Sequence, residues 1–474
     1  MAPRRFGDAV VYQVYPRSFQ DSDGDGVGDL GGILARLDHL TWLGVDALWL
    51  SPIHPSPNAD WGYDIADYDG IAADLGTFED FDRLVEGCRA RGLRLLLDLV
   101  PSHTSIAHPW FREHPERYCW HDGPAPPNNW RATFGGPAWS RDPVNGRWYL
   151  HSYYPEQPDL DWSRPDVVDA MQAVIRRWRE RGADGFRIDA CTRIAKDPER
   201  RDDPPRTTPS PFNWHPEYGA LDHVHSKDGP GLGAALAAIR EAAGDAPLVA
   251  EATLPNEQLG RYLEHVDACF AFELQAAAWT APALNHALGR ALALEDGLAW
   301  VLGNHDVPRL ASRVGPERAA AAAVLLLTLP GPVFVYQGDE LGLADGPAPA
   351  QPLDRAGRDG ARTGIPWQAG AAHAGFTTGE PWLPVAEPPT WAGGTAAEQR
   401  SDATSHAALH RDLIALRREL SGPATAVGLG PDTVAFARGD TVVAIRPDGG
   451  PVAAPEGELL LRTARGDGIV VRRA

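Results

Sequence analysis

A chain of 474 residues has room for one large domain and a smaller module, and 43% hydrophobic with 23% charged residues is the balance of a globular protein with a sizeable core. Its 64 Asp and Glu outnumber 44 Lys and Arg, and the net charge of −20 argues against nucleic acid or an anionic membrane surface as partner and favours a neutral ligand. The N-terminal MAPRRFGDAV lacks the apolar stretch of a secretory leader, no apolar run reaches membrane-spanning length, and Cys88, Cys119, Cys191 and Cys269 lack metal-type spacing, so the expected compartment is the reducing cytoplasm.

Residues 9–16 (AVVYQVYP) predict a first buried strand, and the helical spacing of Ile33, Leu37, Leu40 and Leu43 follows it. A second strand is predicted over 47–53, then a helix over 77–92 with Thr77 as N-cap, then a third strand over 93–100. Residues 101–164 break the rhythm: Pro, Trp, His and Gly recur without a helical period. Helical spacing resumes over 164–182 with Pro165 in the first turn, and strand-like runs follow in DGFRIDA, PLVAEAT, ACFAFEL, LAWVLGNHD and PVFVYQGDE. Eight strands alternating mostly with helices predict an α/β fold, a (β/α)8 barrel. The expected division is a first barrel segment over 1–100, an inserted subdomain B over 101–164, the rest of the barrel over 165–400, and the last barrel helix with a small C-terminal β domain over 401–474. Residues 196–230 read as a long loop after the fourth strand, AAAAAVLLLTLP as a buried helix, and DTVVAIRP and GIVVRRA as strands of the C-terminal sheet.

The predicted strand ends are polar: Asp98 and His103 after the third, Arg187 and Asp189 after the fourth, Glu251 after the fifth, His305 and Asp306 after the seventh. An active site on such a barrel is built from the carboxyl ends of its strands. Any one of these residues could be an ion-pair partner or a helix cap, but several crowded on one rim would cost stability without a use. Paired carboxylates flanked by Arg and His suit glycoside hydrolysis with retention, in which one attacks the anomeric carbon and the other protonates the leaving oxygen across a gap of about 5 Å. Upstream, Asp21, Asp23, Asp25 and Asp29 alternate along a glycine-bearing loop, the pattern of oxygen ligands around a hard cation. Calcium is the expected ion, magnesium the alternative; Gly32 stands where a helix–loop–helix sensor would carry its glutamate.

Ordered motifs across residues 8 to about 420 carry a resemblance to a known family: YQVYPRSFQDSDGDGVGDLGGI, LSPIHPSPNADWGYDIADY, DLVPSHTSIAHPWF, FGGPAW, QPDLDW, GFRIDA, VAEAT, GNHDVPR and RDGARTGIPW. The chain resembles the α-amylase family, glycoside hydrolase family 13, in its α-glucosidase and oligo-1,6-glucosidase branch. The resemblance implies Asp189 as nucleophile, Glu251 as general acid/base and Asp306 as the carboxylate that stabilises the transition state. It further implies that His103 and His305 hold the glucose, that Arg187 lies beside the nucleophile, that Tyr63 stacks under the ring, and that Asp64 and Arg362 (or Arg358) close the pocket. A closed pocket means release of one glucose at a time from a small-molecule α-glucoside. The family's loop binds structural Ca2+ through the equivalents of Asp21, Asp23, Asp25, Asp29 and the Val27 carbonyl; no organic cofactor is implied.

Other readings remain beside these. Asp98 could act only by positioning its neighbours, Tyr63 could be rim packing, Cys191 reads as a buried filler, and Trp61, Trp130 and Trp139 read as loop anchors rather than cleft walls. Ser102 stands where relatives commonly have the Asn that ligates a second calcium, so no second ion is expected; Asp161 replaces a usual Asn. The small Ala190, directly after the nucleophile, is the residue type that in this branch accompanies α-1,4 rather than α-1,6 substrates. The expected activity is therefore an exo-α-glucosidase on maltose, sucrose or short oligosaccharides. A transglucosidase or trehalose-synthase-like isomerase is the alternative within the same chemistry, and a non-catalytic sugar- or partner-binding relative is disfavoured by the intact carboxylates.

Overall fold

In the computed structural model the described residues are 6–208, 210, 212, 215–294, 297–386 and 394–473. The reading of the N-terminus as leaderless rests partly on residues 1–5, which lie outside them. Eight short runs of β-branched and apolar residues, buried along almost their whole length, form the strands β1 (Val10–Val14), β2 (Ala47–Leu50), β3 (Arg94–Leu99), β4 (Gly185–Ile188), β5 (Leu248–Ala250), β6 (Ala268–Phe270), β7 (Leu298–Val301) and β8 (Val333–Tyr336). They close into a barrel in the order β1-β8-β7-β6-β5-β4-β3-β2. Both faces of such strands are covered, which is why they read as continuous apolar runs rather than as alternating ones. The register matters for the chemistry. In the parallel β3–β4 ladder Asp98 is opposite Arg187, and in the β4–β5 ladder Arg187 is opposite Val249.

The helices obey local rules visible in the sequence. Thr77 caps Phe78–Ala90 in a capping box with Asp80, Pro165 opens Pro165–Arg181, and Gly44 ends Leu30–Leu43 at φ 88°. The chain divides into two compact units. One comprises Met1–Leu50, Asp74–Leu95 and Ala271–Ala474, the other Ser51–Ala73 and Leu96–Phe270. Within the first, the C-terminal residues form a five-stranded antiparallel sheet, β9 (Ala424–Ala426), β10 (Val434–Arg438), β11 (Thr441–Ile445), β12 (Glu458–Arg462) and β13 (Gly468–Arg472), ordered β9-β10-β11-β13-β12. The helix Ala319–Thr328 packs on it and is buried on every side, which explains its lack of amphipathic spacing.

Within the second unit, the irregular stretch contains a three-stranded antiparallel sheet from Trp120–His121, Trp148–Leu150 and Trp139–Arg141. Strands of two or three residues leave no periodicity to read. Trp130 and Trp139 stack at 6.3 Å and, with Ala138 and Leu150, form an apolar core for this sheet, as their anchoring role requires. All four cysteines are free thiols, and Cys191 is buried as a filler. Among the described residues no helix is long and apolar enough to cross a membrane.

Candidate active site

Side chains two residues apart on a strand share a face, so Arg187 and Asp189 emerge together at the end of β4. Arg187 is the hub. Its Nη1 donates to Asp98 Oδ1 and to Asp189 Oδ1, both at 2.7 Å, and its Nη2 lies 2.9 Å from Glu251 Oε2. Glu251 follows β5 directly, and its Oε2 accepts the Ala190 N–H at 2.8 Å, while its backbone bonds β4 at Ile188 and the Cys191 amide. Ala190 is left-handed at φ 47°, a conformation unusual for a residue with a Cβ and one that aims its N–H at Glu251.

One guanidinium thus faces three carboxylates. Burial opposes its charge, but the carboxylates, Asp98 foremost, outweigh burial and keep it protonated. The acids respond in the other direction. Burial, with the Arg187 charge opposing and Glu251 adding, pushes Asp98 up to about 6. Burial and the charges of Glu251 and Asp98 push Asp189 well above the ordinary range as well, against the pull of Arg187. Exposure separates their roles: the Asp98 side chain is fully enclosed at 0%, whereas Asp189 and Glu251 keep 9% and 14% open. Asp98 accordingly positions Arg187, and it receives the Tyr63 hydroxyl at 2.9 Å. The Tyr63 ring lies 5.7 Å from the Arg187 guanidinium, so it packs on the hub.

His103 is buried with Nδ1 2.8 Å from Ser102 Oγ and Nε2 3.1 Å from both the Tyr63 carbonyl and Gln157 Nε2. Asp64, expected to close a sugar pocket, is held within its own turn. Both its oxygens are used inside the 56–64 turn, accepting from Ser56 Oγ and from the N–H groups of Ala59 and Asp60, and the residue is fully buried. From the same segment Asp60 lies nearer His103: Gln157 Nε2 donates to Asp60 Oδ2 at 3.0 Å and lies 3.1 Å from His103. The sequence segment holds acids at 60, 64 and 67, and nothing in their spacing distinguishes the one that frames the turn.

In the first unit, a second polar group forms after β7. Asp306 Oδ1 accepts from Arg358 Nη1 at 2.9 Å and from Arg362 Nη2 at 3.3 Å, and its side chain retains 14% exposure. Arg362 also donates to the His305 carbonyl and lies over the Tyr15 ring, while His305 stacks on Tyr15 and meets Gln13 Nε2 through Nδ1 at 2.7 Å. Arg358, read as the substitute for Arg362, is also a direct partner of Asp306 and is itself anchored by Asp354. Gln13, Tyr15 and Asp354 escaped the sequence reading, because Gln and Tyr within an apolar strand look like ordinary barrel filling.

The aspartate loop of the same unit brings Asp21, Asp23 and Asp29 together, each with a carboxylate oxygen within 4.8 Å of the others. The loop closes tightly: at Gly26, φ 94°, a Cβ would fall 1.8 Å from the Glu380 carbonyl. Hydrogen bonds from Thr377, Gly24, Gly26 and Asp23 outweigh burial and keep Asp21 ionised. Asp25 lies outside this trio. Partial burial raises its carboxyl, the Val27 N–H opposes, and the charges of Asp23, Asp21 and Asp29 raise it further. Three carboxylate oxygens turned together fit a hard cation.

Comparison with known proteins agrees with this architecture. The model of the alpha amylase catalytic domain matches residues 13–423. An alpha-glucosidase of Culex pipiens is 37% identical over 410 residues, covering 80% of this chain and 69% of that one. An oligo-1,6-glucosidase of Parageobacillus thermoglucosidasius is 34% identical over 438 residues, covering 80% and 77%. The crystal structure of an alpha-glucosyl transfer enzyme, XgtA, superposes with a TM-score of 0.91 at 33% identity, covering 99% of this chain and 98% of that one. With its closed parallel barrel and a family match spanning most of its length, the chain belongs to the α-amylase family of glycoside hydrolases, family 13.

Proposed function

We propose that the protein is a retaining exo-α-glucosidase acting on the non-reducing end of maltose, sucrose or short oligosaccharides. The observation that carries this is the Arg187 hub: adjacent nitrogens of one guanidinium hold Asp189 and Glu251, which favours the short separation of about 5 Å that a covalent intermediate needs. Asp189 attacks the anomeric carbon, and Glu251 gives its proton to the departing oxygen and then takes one from water. Asp306, set by Arg358 and Arg362, stabilises the transition state through sugar hydroxyls; His103, His305 and Tyr63 hold the ring, with Asp60 rather than Asp64 as the acid beside His103. The test is a panel of maltose, isomaltose, sucrose, trehalose and p-nitrophenyl α-glucoside with the products followed by NMR. Glucose released first as the α-anomer is expected. New disaccharides at the expense of glucose would move the reading to the glucosyl-transfer activity named for the structural neighbour.

The α-1,4 preference is tied to Ala190. Ala190→Val adds two methyl groups beside the nucleophile, and its β-branch fits poorly at φ 47°. The expected result is a fall in the maltose-to-isomaltose ratio of kcat/KM by roughly tenfold, the scale of 1–3 kcal/mol that such contacts supply. An unchanged ratio detaches linkage choice from this position.

We further propose that Asp21, Asp23 and Asp29, with Asp25 and the Val27 carbonyl completing the set, hold a structural Ca2+. The ion would neutralise like charges that otherwise repel within one turn. Chelation is expected to lower the melting temperature by a few degrees, since saturation at 100 times Kd contributes about 2.7 kcal/mol. Asp23→Ala should melt at the chelated temperature and ignore both EDTA and added Ca2+. A melting temperature of the unaltered protein that is indifferent to chelator removes the ion from the account.

A further inference from the structure

Beside the nucleophile, within the second unit, lies a cavity of about 540 Å3. Its wall includes Thr192, three residues past Asp189, and Thr253, two past Glu251. Tyr153 also lines it, and after burial the charges of Glu251 and Asp189 are what hold the Tyr153 phenol up, so this wall adjoins the reacting carboxylates. The cavity therefore lies where the chain continues beyond both reacting residues.

Its electrostatics are opposite to those of the molecule. In a protein of net charge −20, Arg193, Arg206 and Lys227 all line this one cavity, and none of the three has a carboxylate in ion-pairing range among the described residues. Arg193 is almost wholly buried, and its guanidinium meets neutral oxygens only: Tyr218 Oη at 2.6 Å, Thr133 Oγ1 at 3.0 Å and the Ser226 carbonyl at 3.4 Å. Arg206 spends its Nε on the Leu221 carbonyl at 3.0 Å. Lys227 feels Arg193 and Arg206 directly: burial first, then their repulsion, lowers its ammonium against the pull of Tyr218 and Asp222. Asp222 and Asp228 line the cavity as well, and they and the nearby Asp203 are otherwise engaged or open to solvent. Asp228 pairs with Arg261 and the Tyr262 hydroxyl, Asp203 bonds His223, and Asp222 is exposed. Gathering three unpaired cations costs energy unless an anion joins them.

We propose that this cavity receives an oxyanion, a phosphate or a carboxylate, carried on the leaving group of the α-glucoside and bound by Arg193, Arg206 and Lys227. The inference rests on the α-glucosidase reading and narrows it: the cleaved substrate bears a negative charge on its aglycone. The phosphate and carboxylate forms share one chemistry, charge-assisted hydrogen bonds to guanidinium and ammonium.

Two matched pairs separate the forms: trehalose 6-phosphate against trehalose, and 2-O-α-glucosylglycerate against 2-O-α-glucosylglycerol. At least one charged substrate is expected to exceed its neutral partner tenfold or more in kcat/KM. That ratio should fall about tenfold in Lys227→Gln and in Arg206→Gln, hold in Lys227→Arg, and decline with added salt. Charged substrates that merely equal their neutral partners overturn the proposal while leaving the glucosidase reading intact. Calorimetry gives a readout independent of turnover: glucose 6-phosphate or glycerate should bind at least tenfold tighter than glucose or glycerol, and Lys227→Gln should abolish the difference. Failure to cleave any α-glucoside sinks the glucosidase reading. Equal binding of charged and neutral probes sinks the anion site.

Discussion

Asp189→Asn is expected to lose glucose release from every α-glucoside by about 10⁴-fold or more, the scale on which loss of a group acting as one unit with its partners is felt. The amide keeps the shape of the carboxylate but cannot form the glycosyl ester. The protein should meanwhile fold as well as before. Arg187 would keep Asp98 and Glu251, and one desolvated like charge would be gone, so the melting temperature should hold or rise. Glu251→Gln should behave differently. Without the acid, maltose turnover is expected to fall about 10²–10⁴-fold. p-Nitrophenyl α-glucoside, whose leaving group departs without a proton, should lose less in its glycosylation step. A variant Asp189→Asn that still releases glucose at the unaltered rate removes the nucleophile assignment, and losses from Glu251→Gln that ignore the leaving group remove the acid.

Much of this was legible before any coordinates, and the reasons are physical. Barrel strands are buried on both faces, so their apolar runs announce themselves, and the polar residues that interrupt them at the strand ends stand out by contrast. The β3–β4 register that faces Asp98 with Arg187 converts that contrast into an ion-pair network. What stayed hidden has short strands or ambiguous acids. The sheet built from Trp120–His121, Trp139–Arg141 and Trp148–Leu150 has no run long enough to alternate. Of the five strands of the C-terminal sheet, Glu458–Arg462 is half-exposed and lacks a clean polar/apolar pattern, and Ala424–Ala426 has only three residues. Sequence alone gives no sign that Asp64 turns inward to hold its own loop while Asp60 meets Gln157. The cations Arg193, Arg206 and Lys227 lie in or beside one long loop without a pattern that groups them, and the fold gathers them around one cavity.

Arg187→Gln is expected to destabilise the fold by about 3–5 kcal/mol at neutral pH, the cost of leaving buried carboxylates without their cation. The pH dependence gives this prediction its sign. With Arg187 present, the Asp98 carboxyl is already raised to about 6, above its unfolded value. A group raised in this way stabilises the folded state below the unfolded pKa, and that contribution is lost as pH rises through the folded value. Removing the guanidinium deletes the largest attraction that opposes the shift and leaves Asp98 only the Tyr63 hydroxyl, so Asp98 and Asp189 should rise further and the pH range of instability should widen upward. Urea denaturation at pH 4.5 and pH 8 should therefore show a larger gap between Arg187→Gln and the unaltered protein at the higher pH, where three carboxylates face ionisation in a buried site. The double variant Arg187→Gln with Asp98→Asn should recover part of the loss, because one of the stranded charges is gone. A gap equal at both pH values, with no recovery in the double variant, would mean that Arg187 stabilises the barrel through packing and that the three carboxylates are not coupled through it.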